Sequence, residues 1–317
     1  MSQIKEIIRR FKPIYIVNNV LNYNRIANSK ELYSEFGLRK NKVSKISSRD
    51  FEGIESEKPW LDQFDSAELL PKHNHFQRLS PLHQKSLLEW SKNGYAVLDS
   101  FIKDEEIDQI NVFVDQMVEE RSAQFKYDHS LRIMNAVRTN NELKSIACSE
   151  KLELILSMLL GKSVSNFQSI NFLKGSEQKA HSDSIHMTTF PLGYLIAVWI
   201  ALEDVNEDQG PLFIYPESHQ LDYVLTDDFN NEGNYLFFNK NAYHNYEAAI
   251  ENIIEVNNFQ RKAAKMKKGD IIIWHANLLH GGAKIKDSDT TRKSMALHYF
   301  ADDVIKYHEI TQRPAIH

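Results

Sequence analysis

The segment Lys179-Ala-His-Ser-Asp-Ser-Ile-His186 places a histidine and an aspartate two positions apart. The other sequence features that indicate fold and function are interpreted in relation to this segment. In extended backbone, side chains alternate between the two faces, so His181 and Asp183 would point the same way. One imidazole and one carboxylate on one face supply two ligands of a 2-His-1-carboxylate triad, which binds non-haem Fe(II) and leaves coordination positions open. His-x-Asp alone is a weak signal, and the alternative is a turn with a solvated aspartate.

The third ligand would have to come from far downstream, and two histidines are candidates. His280 lies 97 residues after the aspartate, in the segment Leu278-Leu-His-Gly-Gly282, and His275 lies five residues before it. Twelve residues beyond His280, Arg292 begins another strand-like segment. A buried arginine binds a carboxylate through two parallel hydrogen bonds, and Ser294 on the same strand face would add a donor. The pattern therefore favours a metal ion beside an anion-binding arginine.

Five segments in the second half of the chain have the alternation or the apolar character of β-strands. Turn-forming residues separate them, including Pro191, Gly193 and the pair Gly281-Gly282. Such a series is typical of a sandwich or a jelly roll. A jelly roll pairs strands that are distant in sequence, so it would bring the two histidine segments together. The strand-like segments are 164–173, 194–202, 212–215, 270–274 and 293–300.

The first half of the chain has a different character, because helical periodicity replaces alternation. We expect residues 1–81 to form a helical arm followed by an irregular wrap over 38–81. Residues 82–317 are expected to form the main domain, with a partly helical insertion at 220–266. The wrap and the insertion are expected to cover the pocket. The predicted helices before the first long strand are 82–93, 103–121 and 150–160.

Composition places the chain among ordinary globular proteins, with 42% hydrophobic and 26% charged residues among 317. The one cysteine, Cys148, excludes a disulfide within the chain and a zinc site built on several thiolates. Sparse cysteine suits a reducing compartment, so a cytoplasmic location is expected. No apolar run approaches the roughly 20 residues that span a bilayer, so an integral membrane segment is not expected.

The net charge of −5 is unevenly distributed. Residues 1–50 contain 11 Lys and Arg but only 4 Asp and Glu, so the rest of the chain is acidic. An acidic body argues against nucleic acid as the main partner. The basic arm either contacts an anionic membrane surface through residues 1–24 or packs on the body, and we favour packing. The residues expected to pack are Ile4, Ile7, Ile8 and Phe11.

Several short segments stand in the same order as in a known family. They are His181-x-Asp183, Trp199-Ile-Ala-Leu-Glu-Asp-Val205, Gly210-Pro-Leu-Phe-Ile-Tyr-Pro-Glu-Ser-His219, Lys268-Gly-Asp270, His280-Gly-Gly282 and Thr291-Arg-Lys-Ser294. Together they resemble the phytanoyl-CoA dioxygenase family of Fe(II)- and 2-oxoglutarate-dependent oxygenases. One departure is Glu217, which replaces the usual glycine of a Pro-Gly-Ser-His turn. The resemblance implies a chain that is mostly β with flanking helices (α+β), around a double-stranded β-helix or cupin-like jelly roll.

The resemblance also implies a role for each principal residue. His181, Asp183 and His280 would bind Fe(II), with His280 preferred to His275 because its Gly-Gly neighbours and its distance to the arginine match the family. Arg292 would hold the distal carboxylate of 2-oxoglutarate, and O₂ would take the remaining position. The implied reaction hydroxylates a C–H bond of a small molecule and releases succinate and CO₂.

Further contacts with 2-oxoglutarate are expected from residues near these motifs. Trp199 and Ser294 would flank the cosubstrate, although Trp199 is equally interpreted as ordinary core. Asn171 is favoured for another contact, with Lys174 as its competitor.

Substrate contacts are expected from His186 and Gln168, with a surface position as the alternative for His186. Asn171 and Gln168 have opposite strand parity, so one of the two faces away from the pocket. His219 and His298 are expected to be structural.

Two other interpretations of function are open. The histidines and the aspartate of a jelly roll could serve structure, in a non-catalytic module that binds a metal or a ligand. The same iron site could also serve desaturation or cyclisation. The complete ligand set together with Arg292 favours a hydroxylase.

Overall fold

The structure, a computed structural model, describes residues 3–120, 125–126 and 131–317, with side chains described from residue 6 onward and outside 121–130. Most of the described helices precede the long strands. Without the short 3₁₀ turns, they are α1 Gln3–Arg10, α2 Lys12–Leu21, α3 Lys30–Glu35, α4 Trp60–Gln63, α5 Ser66–Leu69, α6 Pro81–Leu88, α7 Trp90–Asn93, α8 Asp104–Glu119, α9 Asn141–Ala147, α10 Glu150–Leu160 and α11 Ala242–Val256.

The strands lie mostly in the second half of the described chain. They are β1 Tyr95–Leu98, β2 Phe125–Lys126, β3 Arg132–Met134, β4 Val164–Phe172, β5 Thr188–Phe190, β6 Leu195–Ala201, β7 Leu212–Ile214, β8 Lys262–Ala263, β9 Ile271–His275, β10 His280–Gly282, β11 Ser294–Ala301, β12 Ile305–His308 and β13 Arg313–Pro314.

These strands form three antiparallel sheets. The main sheet has the order β1-β9-β6-β11-β4-β3-β2, and the two smaller sheets have the orders β10-β7-β8 and β13-β12-β5. Neighbouring strands are often distant in sequence, as where β1 pairs with β9. The expected α+β chain with a jelly-roll core is confirmed.

The main sheet is covered on both faces. On β11, Met295 and Leu297 pack in the core that the sheet shares with Leu156 of α10. Ala296 points the other way, into a second core shared with Leu212 of the small sheet β10-β7-β8. Because both faces are covered, the central strands are nearly continuous apolar runs. The side of the main sheet that faces the small sheet is where the functional residues lie.

The predicted elements agree well with the observed ones. The five predicted strands are β4, β6, β7, β9 and β11, each within one residue at both ends. The helix predicted over 82–93 is instead two helices, α6 and α7, which meet at Glu89. The helix predicted over 103–121 is α8, although residue 121 lies outside the described residues.

The wrap over 38–81 is held to the body by specific contacts. The Trp60 indole donates to the carbonyls of Met158 and Leu159 at the end of α10. The Phe51 ring is stacked on Phe190, with centroids 4.1 Å apart. The boundary between an arm with its wrap and a main domain at residue 81 stays a prediction.

The N-terminal arm lies against the insertion. Phe11 forms an antiparallel bridge with Phe237, and their ring centroids lie 5.3 Å apart. Lys12 forms an ion pair with Glu232, and the Arg10 Nε donates to the carbonyl of residue 238. Polar groups therefore share this contact with the aromatic pair.

The expected packing of the apolar face of α1 is wrong in two of its four residues. Ile7 is 53% exposed and Ile8 is 46% exposed, because the cationic and aromatic residues around Phe11 make the contact with the insertion instead. The side chain of Ile4 lies outside those that the structure describes. Over the described residues, each helix is too short or too polar to traverse a lipid bilayer.

Candidate metal centre and its cavity

The three predicted ligands lie together at the mouth of the jelly roll. His181 and His280 form an antiparallel bridge in which each backbone N–H donates to the other's carbonyl at 2.9 Å. Asp183 begins a 3₁₀ turn two residues after His181. One ligand atom from each of the three side chains lies within 4.8 Å of the others, and all three residues are buried. The bridge between distant segments is what creates the cluster.

The turn that follows β7 contains the departure from the family pattern. Glu217 adopts the left-handed conformation that glycine usually supplies, with φ of 70°. The turn is kept, and Ser218 Oγ accepts a hydrogen bond from the Leu279 N–H at 2.9 Å. Tyr215 also pairs with Leu279 through the backbone. These contacts place His280, the next residue, at the start of its strand.

Both ligand imidazoles are oriented by backbone carbonyls. His181 Nδ1 lies 2.9 Å from the Lys179 carbonyl, and His280 Nδ1 lies 2.9 Å from the Leu278 carbonyl. A carbonyl only accepts, so each Nδ1 carries a proton, and in the neutral ring the lone pair is on Nε2. Those Nε2 atoms lie 4.0 Å and 3.6 Å from Asp183 Oδ1. The donors that a metal needs therefore converge on one point.

The carboxylate of Asp183 is held from its other side. The Trp274 indole donates to Oδ2 at 2.8 Å, and His298 Nε2 lies 3.6 Å from the same oxygen. Burial acts to raise the pKa of Asp183, but the neighbouring imidazoles of His280 and His298 hold that pKa well below its usual range. Burial, aided by His280, lowers the pKa of His181 to about 3. A neutral imidazole and an ionised carboxylate are the forms that bind a metal.

Arg292 lies in the same cavity with little to balance its charge. It is 2% exposed, its Nη1 donates to the Gly210 carbonyl at 3.1 Å, and its Nε has no hydrogen-bond partner among the described residues. The guanidinium carbon lies 5.5 Å from the ring centroids of both Phe172 and Trp199. Burial lowers the pKa of Arg292 to about 10. A buried guanidinium of this kind is stabilised when an anion joins it.

Two other predicted cosubstrate contacts lie on the same face. Ser294 pairs with Phe172 across the sheet, is fully buried, and has a hydroxyl without a partner. Trp199 pairs with Ala296 and lines the cavity. Lys174 lies elsewhere, because its ammonium donates to the Ser288 carbonyl at the surface.

The expected contact from Asn171 is wrong, because the strand register turns its side chain away. Asn171 pairs with Met295 on β11 and with Ile133 on β3. Both partners belong to the core on the helix side of the main sheet, so Asn171 points to that side. Gln168 pairs with His298 and lines the cavity. The two residues do face opposite sides, with Gln168 on the cavity side, and the contact of Gln168 with a substrate stays a prediction.

The cavity has a volume of about 480 Å³, and His186 is among the residues that line it, although its contact with a substrate stays a prediction. His275 lies outside it and pairs with Asp62, with His275 Nε2 3.1 Å from the carboxylate. His275 is therefore not placed as a metal ligand. His219 contacts the His275 ring and the Ser91 carbonyl, which fits the structural role expected of it.

Several residues of the centre were missed. Trp274 and Gln178 contact the ligands, with Gln178 Nε2 3.1 Å from His181 Nε2. His298, expected to be structural, lines the cavity and has an unpaired Nδ1. Its position was available from parity, because it lies four residues after Ser294 along β11. For Trp274 and Gln178 the sequence offers no comparable signal.

The expected cover of the pocket is also wrong. Among the described residues that line the cavity, none comes from the wrap at 38–81 or from the insertion at 220–266. The insertion instead contacts the segment that carries two of the predicted ligands. The Tyr246 hydroxyl accepts a hydrogen bond from the Ser182 N–H at 2.9 Å, and the Tyr243 ring centroid lies 6.1 Å from that of His186. The outer wall comes instead from residues 132–138 and from the tail at 313–316.

Comparison with known proteins identifies a family and several relatives. A model of the family described as Phytanoyl-CoA dioxygenase (PhyH) matches residues 90–294, more than half of the chain. A zebrafish (Danio rerio) protein, phytanoyl-CoA dioxygenase domain-containing protein 1, is 27% identical over 168 residues, which are 47% of each chain. The human peroxisomal phytanoyl-CoA dioxygenase is 24% identical over 132 residues, which are 41% of this chain and 35% of that protein. The match thus spans less than half of each relative.

Solved structures share the fold at low identity. The carbocyclase SnoK from nogalamycin biosynthesis, described as α-ketoglutarate dependent, has a TM-score of 0.58 and 16% identity over 76% of this chain and 89% of its own. EctD from S. alaskensis, crystallised with 2-oxoglutarate and 5-hydroxyectoine, has a TM-score of 0.54 and 17% identity over 73% of this chain and 79% of its own. On the match of the family model, the chain belongs to the phytanoyl-CoA dioxygenase family.

Proposed function

We propose that this chain is a non-haem Fe(II)- and 2-oxoglutarate-dependent dioxygenase that hydroxylates a C–H bond of a small molecule. One observation carries the proposal: a buried His-Asp-His cluster and the buried Arg292 line the same cavity. Among the described residues Arg292 forms no ion pair, and in a module that bound only a metal such a buried guanidinium would destabilise the fold for no gain. An enzyme that binds a dicarboxylate beside its metal uses both features.

The residues present suit the metal and the cosubstrate. Two neutral imidazoles and one carboxylate form the donor set that non-haem Fe(II) takes in enzymes that leave open positions. His181, Asp183 and His280 would hold it, and Trp274 would keep the carboxylate oriented by its bond to Oδ2. Arg292 would hold the distal carboxylate of 2-oxoglutarate, because the arginine fork matches a carboxylate.

When bound, Fe(II) with 2-oxoglutarate couples oxidative decarboxylation of the cosubstrate to the insertion of one oxygen atom from O₂ into a C–H bond, giving an alcohol, succinate and CO₂. The chain's contribution is placement and exclusion of water. Trp199, Leu212 and Phe172 line the cavity with apolar surface, and the rings of Phe172 and Trp199 lie 5.5 Å from the Arg292 guanidinium. Such a wall strengthens the electrostatic interaction between the guanidinium and a bound carboxylate.

The test is anaerobic addition of Fe(II) and 2-oxoglutarate to the purified chain. We expect the weak visible charge-transfer band of the chelate, and after admission of O₂ we expect succinate. A substrate screen that records succinate would then identify the product by mass spectrometry. A product that gains one oxygen atom supports hydroxylation, whereas one that loses two hydrogens identifies desaturation or cyclisation. No chelate band and no iron binding would leave a non-catalytic module.

A further inference from the structure

The outer end of the cavity carries positive charge of its own. Arg138, at the end of the 3₁₀ turn Ala136–Arg138, and Arg313 of β13 both line it. Among the described lining residues, the one acidic side chain is Asp183, which belongs to the metal centre. The outer end therefore has fixed cations without a nearby acid to balance them.

Strand β4 shows how far this end lies from the cosubstrate end. The Arg292 guanidinium lies over Phe172, and the Arg138 guanidinium lies over Phe167, with 5.5 Å and 6.0 Å to the ring centroids. Five residues of strand span roughly 16 Å, at about 3.3 Å per residue. The metal centre lies between the two ends, because His298, which contacts Asp183, pairs with Gln168. An occupant of the outer end would therefore reach the metal from the side opposite 2-oxoglutarate.

The outer guanidinium groups are mostly available to a ligand. Arg138 donates through Nη2 to the Phe167 carbonyl, and Arg313 donates through Nε to Thr311 Oγ1 at 3.2 Å. Within the described chain neither arginine has an ion-pair partner. Each guanidinium has five N–H donors, so most of them remain for an oxyanion. His308 adds another donor: its Nδ1 accepts the Thr311 N–H, so a neutral ring carries its proton on Nε2.

An apolar patch lines the cavity beside the outer arginines. Phe167 packs against Phe300 with ring centroids 4.9 Å apart, and both line the cavity. Met187 packs in the same cluster as Phe300 and also lines the cavity. A molecule that lay here would place an apolar part next to the metal and a polar end at the arginines.

We infer that the substrate of this site is a compact organic anion, with a carboxylate or phosphate group bound by Arg138 and Arg313 and an aliphatic part at the metal centre. A cavity of about 480 Å³ is within the size range of small-molecule sites, and part of it is taken by 2-oxoglutarate, so the substrate must be compact. The inference rests on the proposed function for the reaction, but binding of the anion does not require the metal.

The test measures binding to the metal-free chain by calorimetry and ligand-detected NMR, with octanoate, octyl phosphate and the neutral octanamide as probes. We expect at least one of the anions to bind roughly tenfold or more tightly than octanamide, because hydrogen bonds to charged groups are the stronger ones. Arg138→Gln and Arg313→Gln should each weaken binding of the preferred anion about tenfold and leave the affinity for octanamide unchanged. Arg78→Gln, at an exposed arginine outside the cavity, is the matched control and should change nothing.

The remaining comparisons in this experiment each answer a separate question. The ratio of octanoate to octyl phosphate affinity distinguishes a carboxylate site from a phosphate site. Arg138→Lys, which keeps the charge, should retain most of the affinity that Arg138→Gln loses, and melting curves show whether each variant is folded. Equal binding of octanamide and both anions, or full anion affinity in the folded Gln variants, overturns the inference. A chelate band without anion preference rejects only this inference, whereas anion preference without a chelate band rejects only the proposed function.

Discussion

The two ends of the cavity both carry arginine side chains, but different kinds of structural element supply them. Arg292 lies two residues before β11, a central strand whose residues are all buried, and it is itself 2% exposed. At the outer end, Arg138 is exposed and comes from a 3₁₀ turn, and Arg313 belongs to the C-terminal tail. The inner end is therefore fixed by sheet register, and the outer end by the docking of a turn and a tail.

The tail itself is held by the N-terminal arm. Ile26 and Ile316 form an antiparallel bridge, the Ala27 N–H donates to the Ala315 carbonyl, and Arg25 Nε donates to the His317 carbonyl at 2.7 Å. A change in the arm can thus alter the outer end without moving the strands that hold the metal ligands. The comparison shows that the sheet can hold the residues of the metal centre in place while changes in the peripheral segments alter only the outer end of the cavity.

The largest expected effect tests whether the chemistry resides only at the sheet end. His181→Ala, Asp183→Ala and His280→Ala should each abolish iron binding and 2-oxoglutarate turnover, because each removes one of three metal ligands. Iron content and succinate release are the measurements. The control is His275→Ala, which removes a buried histidine of the same region and should lower the melting temperature but retain iron. Loss of iron in His275→Ala with retention in His280→Ala would show that the third ligand is misassigned.

The next effect separates the two cationic ends. Arg292→Ala should weaken the binding of 2-oxoglutarate by roughly a few hundred- to a few thousandfold, since removing one partner of a buried charge pair costs about 3–5 kcal/mol. Ser294→Ala is the milder comparison and should weaken it by at most about tenfold, as expected for one neutral hydrogen bond. The dependence of succinate release on 2-oxoglutarate concentration measures both. If Arg138→Gln changed that dependence as much as Arg292→Ala, the two ends would not be separate sites.

The smallest effect examines the support behind the metal ligands. Trp274→Phe removes the donor to Asp183 Oδ2 and should lower Fe(II) affinity by about 10–100-fold, the usual range for such supporting hydrogen bonds. Anaerobic Fe(II) titration measures it. Trp60→Phe removes an indole that bonds to the carbonyls of Met158 and Leu159 and should reduce stability without changing Fe(II) affinity. Equal iron affinities in the two variants would mean that the bond to Asp183 does not matter.

Much of the inner end could be predicted because its signals are local. His181 and Asp183 are two residues apart, and Arg292, Ser294 and His298 share strand parity, so spacing alone assigns them to one face. The β11 strand was predicted to within one residue at each end. Parity also showed that Asn171 and Gln168 face opposite sides, but it could not say which side holds the metal. That choice depends on pairing with Met295 and His298, which are more than 120 residues away.

The sequence by itself determined the ligand types, their order and the alternation of the strands, because these properties depend only on residues close together along the chain. Tertiary structure alone decided the closure of the triad by the His181–His280 bridge and the support of Asp183 by Trp274. It also decided that residues 132–138 and the tail at 313–316, rather than the wrap or the insertion, form the outer wall. These features arise from contacts between segments distant in sequence, and such contacts are fixed by packing and register rather than by local pattern.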